Sequence, residues 1–230
     1  MSKVLVYDVK DDVRGKIRAI FDEFAPKLAA RQVLVKPNLL AASPPETGVN
    51  THPAVVEAIV LECLERGAKV LVGDNSGSID RTPWYTAEVA GYIKACHGCF
   101  GGISSEVVQV LSDSRFVKSF WVSKAVLDAD YVINVPKFKA HVVMTITGAL
   151  KNTFGYVPGG CKNQLHFKTV GRRQFAELLV DVHRVRPPDL NIMEALPVME
   201  GTGPDAGPLR NVGKVLASTD AVALDATAVR

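Results

Sequence analysis

Short apolar runs alternate along the chain with longer stretches in which apolar positions recur at helical spacing. Residues 4–9 open as a β-branched strand, and Val13, Ile17, Ile20, Phe21, Phe24 and Leu28 then mark one face of a helix over 13–30. A second strand over 32–36 is closed by Pro37. A helix over 53–66 follows, with Pro53 in its first turn and Gly67 just past its end. Residues 69–73 read as a third strand, 82–96 as a helix, 107–111 and 115–122 as two strands that can pair, 124–129 as a short helix and 131–135 as a buried strand. Residues 142–150 read as a helix, 155–168 as a Gly-, Pro- and Lys-rich loop, and 171–185 as an amphipathic helix. Strands at 191–195 and 213–218 and a last helix after Thr219-Asp220 complete the pattern.

Strands without clean polar alternation suit a sheet covered on both faces. Their alternation with helices predicts a single α/β domain with a mainly parallel central sheet and helices on both faces. Ligands of such sheets sit beyond the carboxyl ends of the strands. Pro, Gly and Ser concentrate at 42–53, 73–83, 155–163 and 197–208, each after a strand or the helix that follows one, so these segments are candidate site loops.

Composition narrows the classes. With 230 residues, 47% hydrophobic and 22% charged, the chain has the makeup of a globular protein. A net charge of +3 is too small to imply a nucleic-acid partner, and the basic residues gather at strand ends without interleaved aromatics. No stretch approaches the roughly 20 apolar residues of a membrane span, and the N-terminus passes from a short apolar run straight into charge. The expected location is cytoplasmic, with no nucleic-acid or membrane partner. Cys63 falls on an apolar helical face and reads as core. Cys96 and Cys99 form a C-x-x-C that suits a redox pair, half of a metal site, or two reduced thiols near a helix end.

The candidate chemistry lies in the turns after strands. Lys36-Pro37-Asn38 places an ammonium and an amide at the sheet rim or in a solvated turn. Gly73-Asp74-Asn75-Ser76-Gly77 offers a carboxylate and small residues whose N–H groups can approach an anion, and it is also ordinary turn chemistry. Asn134-Val135-Pro136-Lys137-Phe138-Lys139-Ala140-His141 presents Lys137, Lys139 and His141 at alternate positions of an extended segment, and so on one face. Like charges there favour a neutral His141. Lys151-Asn152 can add to the same site, with Lys162, His166 and Lys168 raising the local charge; His166 alone reads as a surface residue. Glu200 stands beside glycines in Met199-Glu200-Gly201-Thr202-Gly203-Pro204, and Asp220 reads as a helix cap. Lys36, Asn38, Asp74, Lys137, Lys139, His141, Lys151 and Asn152 are expected to converge in one pocket for a phosphate or carboxylate. Lys36, Asn38, Asp74, Ser76, Lys139, Lys151, Asn152 and Glu200 would bind, and His141 and Lys137 would act catalytically. Replacing Lys137 or Lys139 with Ala is expected to weaken binding and spare the fold.

The ordered set of motifs resembles the family catalogued as domain of unknown function 362. The matching segments are Val35-Lys36-Pro37-Asn38, Thr51-His52-Pro53, Val72-Gly73-Asp74, the run Asn134 to His141, Leu150-Lys151-Asn152-Thr153-Phe154-Gly155, the run Met199 to Pro204, and Thr219-Asp220-Ala221-Val222-Ala223-Leu224-Asp225. The resemblance implies basic site residues at Lys36, Asn38, Lys137, Lys139, His141, Lys151 and Asn152. It also implies association with redox chemistry, and relatives that continue past the position of Arg230. Some members carry a ferredoxin-like segment that this sequence does not show; its CHGC element lies in mid-chain. Two functions follow as expectations: an enzyme acting on a small anionic substrate, or a non-catalytic electron-transfer or iron–sulfur partner of a redox protein. The sequence names no cofactor and no metal. The helix from 221 is expected to turn Ala221, Leu224 and Ala228 inward and to lack a stop signal.

Overall fold

The computed structural model describes residues 2–9, 11–77, 82–114 and 116–230. A mixed sheet runs in the order β1 (Leu5–Asp8), β10 (Leu209–Ser218), β9 (Leu190–Met199), β6 (Tyr131–Val135), β2 (Gln32–Pro37), β3 (Lys69–Val72). Strand β7 (Lys137–His141) continues from β6 across Pro136, pairs parallel with the far half of β9, and carries β8 (Thr145–Thr147) antiparallel on its other side. The pairings β2–β3, β2–β6 and β6–β9 are parallel, while β1–β10 and β10–β9 are antiparallel. The sheet is therefore mostly parallel at its centre with an antiparallel edge. A separate ribbon pairs β4 (Val107–Leu111) with β5 (Ser119–Ser123). Arg115, expected to open that second strand, lies outside the described residues.

Both faces are covered because strand residues are apolar in both directions. Val33, Val35, Ile133, Ile192 and Val215 pack under α1 (Val13–Phe24) and α2 (Pro53–Glu65), with Ile17, Ile20 and Phe21 of α1 turned inward at helical spacing. Asp12 caps α1, its carboxylate accepting from the Gly15 N–H at 2.7 Å. On the other face Leu34 and Val132 meet Phe175, Leu178, Leu179 and Val182 of α8 (Gly171–Val185). Beside them Met193, Ala195 and Leu216 meet Ala149 of α6 (Ala149–Asn152) and Ala221 and Leu224 of α9 (Ala221–Ala228). The inward positions expected for the last helix are thus the ones that pack. Asp220 caps it, accepting from the Val222 and Ala223 N–H groups at 2.9 Å each.

Three local expectations give way. The helix expected over 82–96 is two, α3 (Pro83–Val89) and α4 (Tyr92–Ala95), because Gly91 between them is left-handed at φ +79°. Residues 142–150 hold no long helix. The chain folds back after β7, and the His141 ring closes the turn by accepting at Nδ1 from the Val143 and Met144 N–H groups, both at 3.1 Å. The expected loop 155–168 contains α7 (Gly159–Lys168), which follows Pro158 and buries Leu165; between α6 and α7 the chain makes a 3₁₀ turn (Thr153–Tyr156). The fifth helix in chain order, α5 (Lys124–Asp128), packs Val126 beneath the ribbon's face of the sheet.

Candidate functional site

The carboxyl ends of β2 and β3 reach the same sheet edge because the two strands are parallel and adjacent. A cavity of about 190 Å³ opens there. Asn38 and Asp74 enter it from the two strand ends, His141 and Thr147 from the β7–β8 hairpin, Lys151, Asn152 and Gly155 from α6 and the 3₁₀ turn, and Lys162, Asn163 and His166 from α7. Five expected site residues therefore share one cavity: Asn38, Asp74, His141, Lys151 and Asn152.

Lys36 stands behind that wall. It is fully buried, and its Nζ meets Asp74 Oδ1 at 2.7 Å and donates to the Pro37 carbonyl at 3.0 Å. Asp74 Oδ2 accepts from the Leu39 N–H at 2.9 Å. Burial lowers the Lys36 pKa, and Asp74 opposes the shift. Gly155 is required at this contact, since a Cβ there would lie 2.1 Å from Asp74 Oδ1 and 2.6 Å from Lys36 Nζ. The backbone can pass the ion pair only without a side chain.

A buried chain of amides positions α6. Asn191 of β9 accepts from Asn134 of β6 at 2.8 Å, and Asn134 in turn accepts from Asn152 at 2.8 Å. Asn134 also donates to the Ala149 carbonyl at 3.0 Å. Asp225 of α9 accepts from the Ala149 N–H at 2.6 Å and the Leu150 N–H at 3.1 Å, capping the short helix. The amide donors of Asn38 and Asn152 are spent on the frame. Asn38 donates to the Val49 carbonyl at 3.0 Å, so the donors expected of it at the rim are turned inward.

Lys137 leaves the cavity altogether. Its Nζ sits 2.8 Å from both carboxylate oxygens of Glu194, and both side chains are fully buried. The adjacent registers of β7 and β9 place the pair side by side. Glu194 accepts further from the His52 N–H at 3.0 Å and the Leu196 N–H at 2.6 Å. This corrects the expectation that Lys137 could be removed without harm to the fold, since its loss strands a buried carboxylate. Thr51-His52-Pro53 belongs to the same frame: Thr51 Oγ1 donates to the Val135 carbonyl at 2.7 Å, and His52 caps α2 through Nδ1 at 3.2 Å. Lys139 is buried and donates to the Val49 carbonyl, outside the cavity lining. Burial, with Lys151 and Lys137 adding repulsion, lowers its pKa to about 7. Glu200 is not brought to the cavity; it is exposed and faces Arg210 at 3.4 Å.

The cavity's own groups carry an excess of positive charge. Lys151 lines it partly buried, and burial together with Lys36 lowers its pKa to about 8. Lys162 is also lowered to about 8 by burial, and its Nζ donates to the Asn75 carbonyl and, at 3.5 Å, to that of Ser76. Ser76 thus contributes through its backbone. His141 is lowered to about 4 by burial and by Lys151 and Lys139. Because Nδ1 accepts two N–H groups, the ring proton sits on Nε2, and His141 is a neutral donor and a poor base. His166 is exposed, but its ring stacks on Phe175 at 4.3 Å and meets Phe154 edge-on at 5.5 Å.

Cys63, Cys96 and Cys99 stand apart from this site, while Cys161 lies on α7 next to Lys162 without lining the cavity. Cys63 and Cys96 are buried, and burial pushes both thiols up to about 12, while Cys99 moves in the same direction. Thiols held protonated are weak nucleophiles and weak metal ligands. Among the described residues no group of three His, Cys, Asp or Glu side chains gathers to hold a metal ion.

Sequence reasoning missed Asn75, Thr147, Asn163, Gly155 as a spacer, and Asp225 as the cap of α6. Gly155 and Asp225 lie inside the family-like motifs, but nothing local tells a spacer or cap from an ordinary turn residue. No helix among the described residues is long and apolar enough to cross a membrane.

Known proteins fit this architecture. The model of the family described as Domain of unknown function (DUF362) matches residues 33–230. Thylakoid-associated protein sll1697 of Synechocystis sp. (strain ATCC 27184 / PCC 6803 / Kazusa) is 36% identical over 202 residues, covering 84% of this chain. The chain spans 60% of the length of that relative. Among solved structures, the lactate racemase apoprotein from Thermoanaerobacterium thermosaccharolyticum aligns with a TM-score of 0.56 over 94% of this chain and 54% of that one, at 10% identity. That likeness shows a shared fold.

Proposed function

Because this chain belongs to the family described as Domain of unknown function (DUF362), whose description specifies no reaction, we propose its function from the cavity: it binds a small carboxylate or phosphate at the carboxyl edge of the sheet. The observation that carries this is the charge imbalance. Lys151 and Lys162 line the cavity, with Lys36 and Lys139 close behind, while the lining carboxylate, Asp74, is already engaged by Lys36. Ammonium groups so placed repel one another in a medium less polarisable than water. A bound anion relieves that repulsion. The neutral Nε2–H of His141 adds a donor that stays available across the physiological pH range. His141 is too weak a base and Lys137 is locked to Glu194, which leaves the lysine amines and the His166 ring to move a proton at this site.

The test is thermal unfolding of the purified chain at pH 7 in phosphate, oxalate or acetate, each against chloride at equal ionic strength. A site-bound anion at a hundred times its Kd adds about 2.7 kcal/mol to stability, a rise of roughly 5–10 °C for a protein of this size. The rise should saturate with at least one of these anions and shrink in Lys151→Gln and Lys162→Gln. Equal melting in all four salts would refute the reading.

A further inference from the structure

We propose that Lys151 is a nucleophile whose amine forms an imine with a small anion bearing a carbonyl group, a 2-oxo acid or an aldehyde acid. This names a substrate class for the anion site and rests on that reading. Of the lysines in and around the cavity, the others are each held. Lys36 is bound by Asp74, Lys137 by Glu194, Lys139 by the Val49 carbonyl, and Lys162 by the Asn75 and Ser76 carbonyls. Among the described residues Lys151 makes no hydrogen bond or ion pair, and it lines the cavity. It is also rigidly delivered. The helix carrying it is capped by Asp225 and tied to the sheet by the Asn152–Asn134–Asn191 amides.

An amine with no carboxylate paired to it, next to a second cation, has a far larger share of its free-base form near neutral pH than an exposed lysine. The pKa lowered to about 8 by burial and by Lys36 agrees, with Asp74 alone pulling the other way. The surroundings suit addition to a carbonyl. Lys162 lines the same cavity and can hold the carboxylate, and the His141 Nε2–H can donate to the carbonyl oxygen. The balance is simple. The lone pair of Lys151 forms the C–N bond while the carbonyl π pair moves to oxygen. Both protons of the amine nitrogen then leave with that oxygen as water, relayed through Lys162, and a C=N bond remains. No oxidant or reductant is consumed.

The experiment traps the imine on the whole chain. Protein at pH 7.5 is incubated with glyoxylate and sodium cyanoborohydride, and modified lysines are located by peptide mass spectrometry over time. A pKa more than two units below that of an exposed lysine gives about a hundredfold more free amine at this pH; the lower intrinsic nucleophilicity leaves a rate gain of roughly tenfold. Lys151 should therefore gain the carboxymethyl group roughly tenfold faster than exposed Lys118, and oxalate should slow Lys151 alone. Labelling of Lys151 no faster than Lys118 would overturn the proposal. If phosphate, oxalate or acetate still raises the melting temperature in that case, the anion site stands and only the nucleophile falls; if none of them does, both fall. The measurement on the unmodified chain needs no folded variant. Lys151→Arg, whose guanidinium forms no such imine, should abolish the fast adduct while leaving the labelling of Lys118 unchanged.

Discussion

At the scale of single residues, lysines that look alike in the sequence do opposite work. Lys137 and Lys151 both close apolar segments, yet one meets Glu194 at 2.8 Å and the other meets open cavity. The difference lies in what stands opposite. Removing one partner of a buried pair leaves the other charge uncompensated, at a cost of about 3–5 kcal/mol. Lys137→Met should therefore lower the stability measured by urea unfolding by about that amount. Adding Glu194→Gln should return much of it, because the amide keeps an acceptor for the Leu196 or His52 N–H and carries no charge. A Lys137→Met protein as stable as the parent would show that the carboxylate is not buried as the structure has it.

At the scale of elements, a four-residue helix holds Lys151, the site lysine without a partner among the described residues, and a helix so short has no stability of its own. Its position comes from outside, through the Asp225 carboxylate at its first N–H groups and the Asn152 amide at its last turn. Burial raises the Asp225 pKa while those two N–H groups oppose the shift. Asp225→Ala should cost about 1–2 kcal/mol, the usual worth of a helix cap, and should diminish the anion-induced rise in melting temperature. Asp225→Asn, which retains one acceptor, should lose less of both. Gly148, where a Cβ would stand 2.3 Å from Asp225 Oδ1, is the spacer that lets the carboxylate in, as Gly155 is for the Lys36–Asp74 pair.

At the scale of the whole molecule, the lysine cluster ties stability to pH. Lys139 titrates at about 7 in the folded chain against 10.5 ordinarily, and Lys151 and Lys162 shift in the same direction. Between those values the unfolded chain binds more protons than the folded one, so stability rises with pH. The penalty is fully present below about pH 7 and is relieved above it. The buried thiols Cys63 and Cys96 act oppositely, since their folded values lie above the unfolded one, and they draw stability down from about pH 9. Urea unfolding in an anion-free buffer should show stability climbing from pH 7 to 8.5, with a shallower climb in Lys139→Leu. A saturating anion should flatten the slope as well, by stabilising the charged lysines of the cavity. A decline over that interval in the parent chain would contradict the burial of these amines.

The order of strands and helices outside 137–168, the covered sheet, the helix starts marked by Pro53 and Asp220, and the gathering of Asn38, Asp74, His141, Lys151 and Asn152 at one sheet edge were legible in the sequence. Hydrophobic period, cap chemistry and the carboxyl-edge rule are local or topological, and each acts through residues near in the chain. What the sequence left undetermined depends on partners far along it. Glu194 neutralises Lys137 across 57 residues, Asp74 holds Lys36 across 38, and Asp225 caps a helix 75 residues before it. The antiparallel edge formed by β10 and the division of 82–96 at Gly91 are likewise settled by packing and by one left-handed residue. Local pattern says where a lysine leaves a strand. Whether its charge is cancelled there is decided by what the tertiary fold brings against it, and that separates the lysines that hold this protein together from Lys151, which faces the cavity with no partner among the described residues.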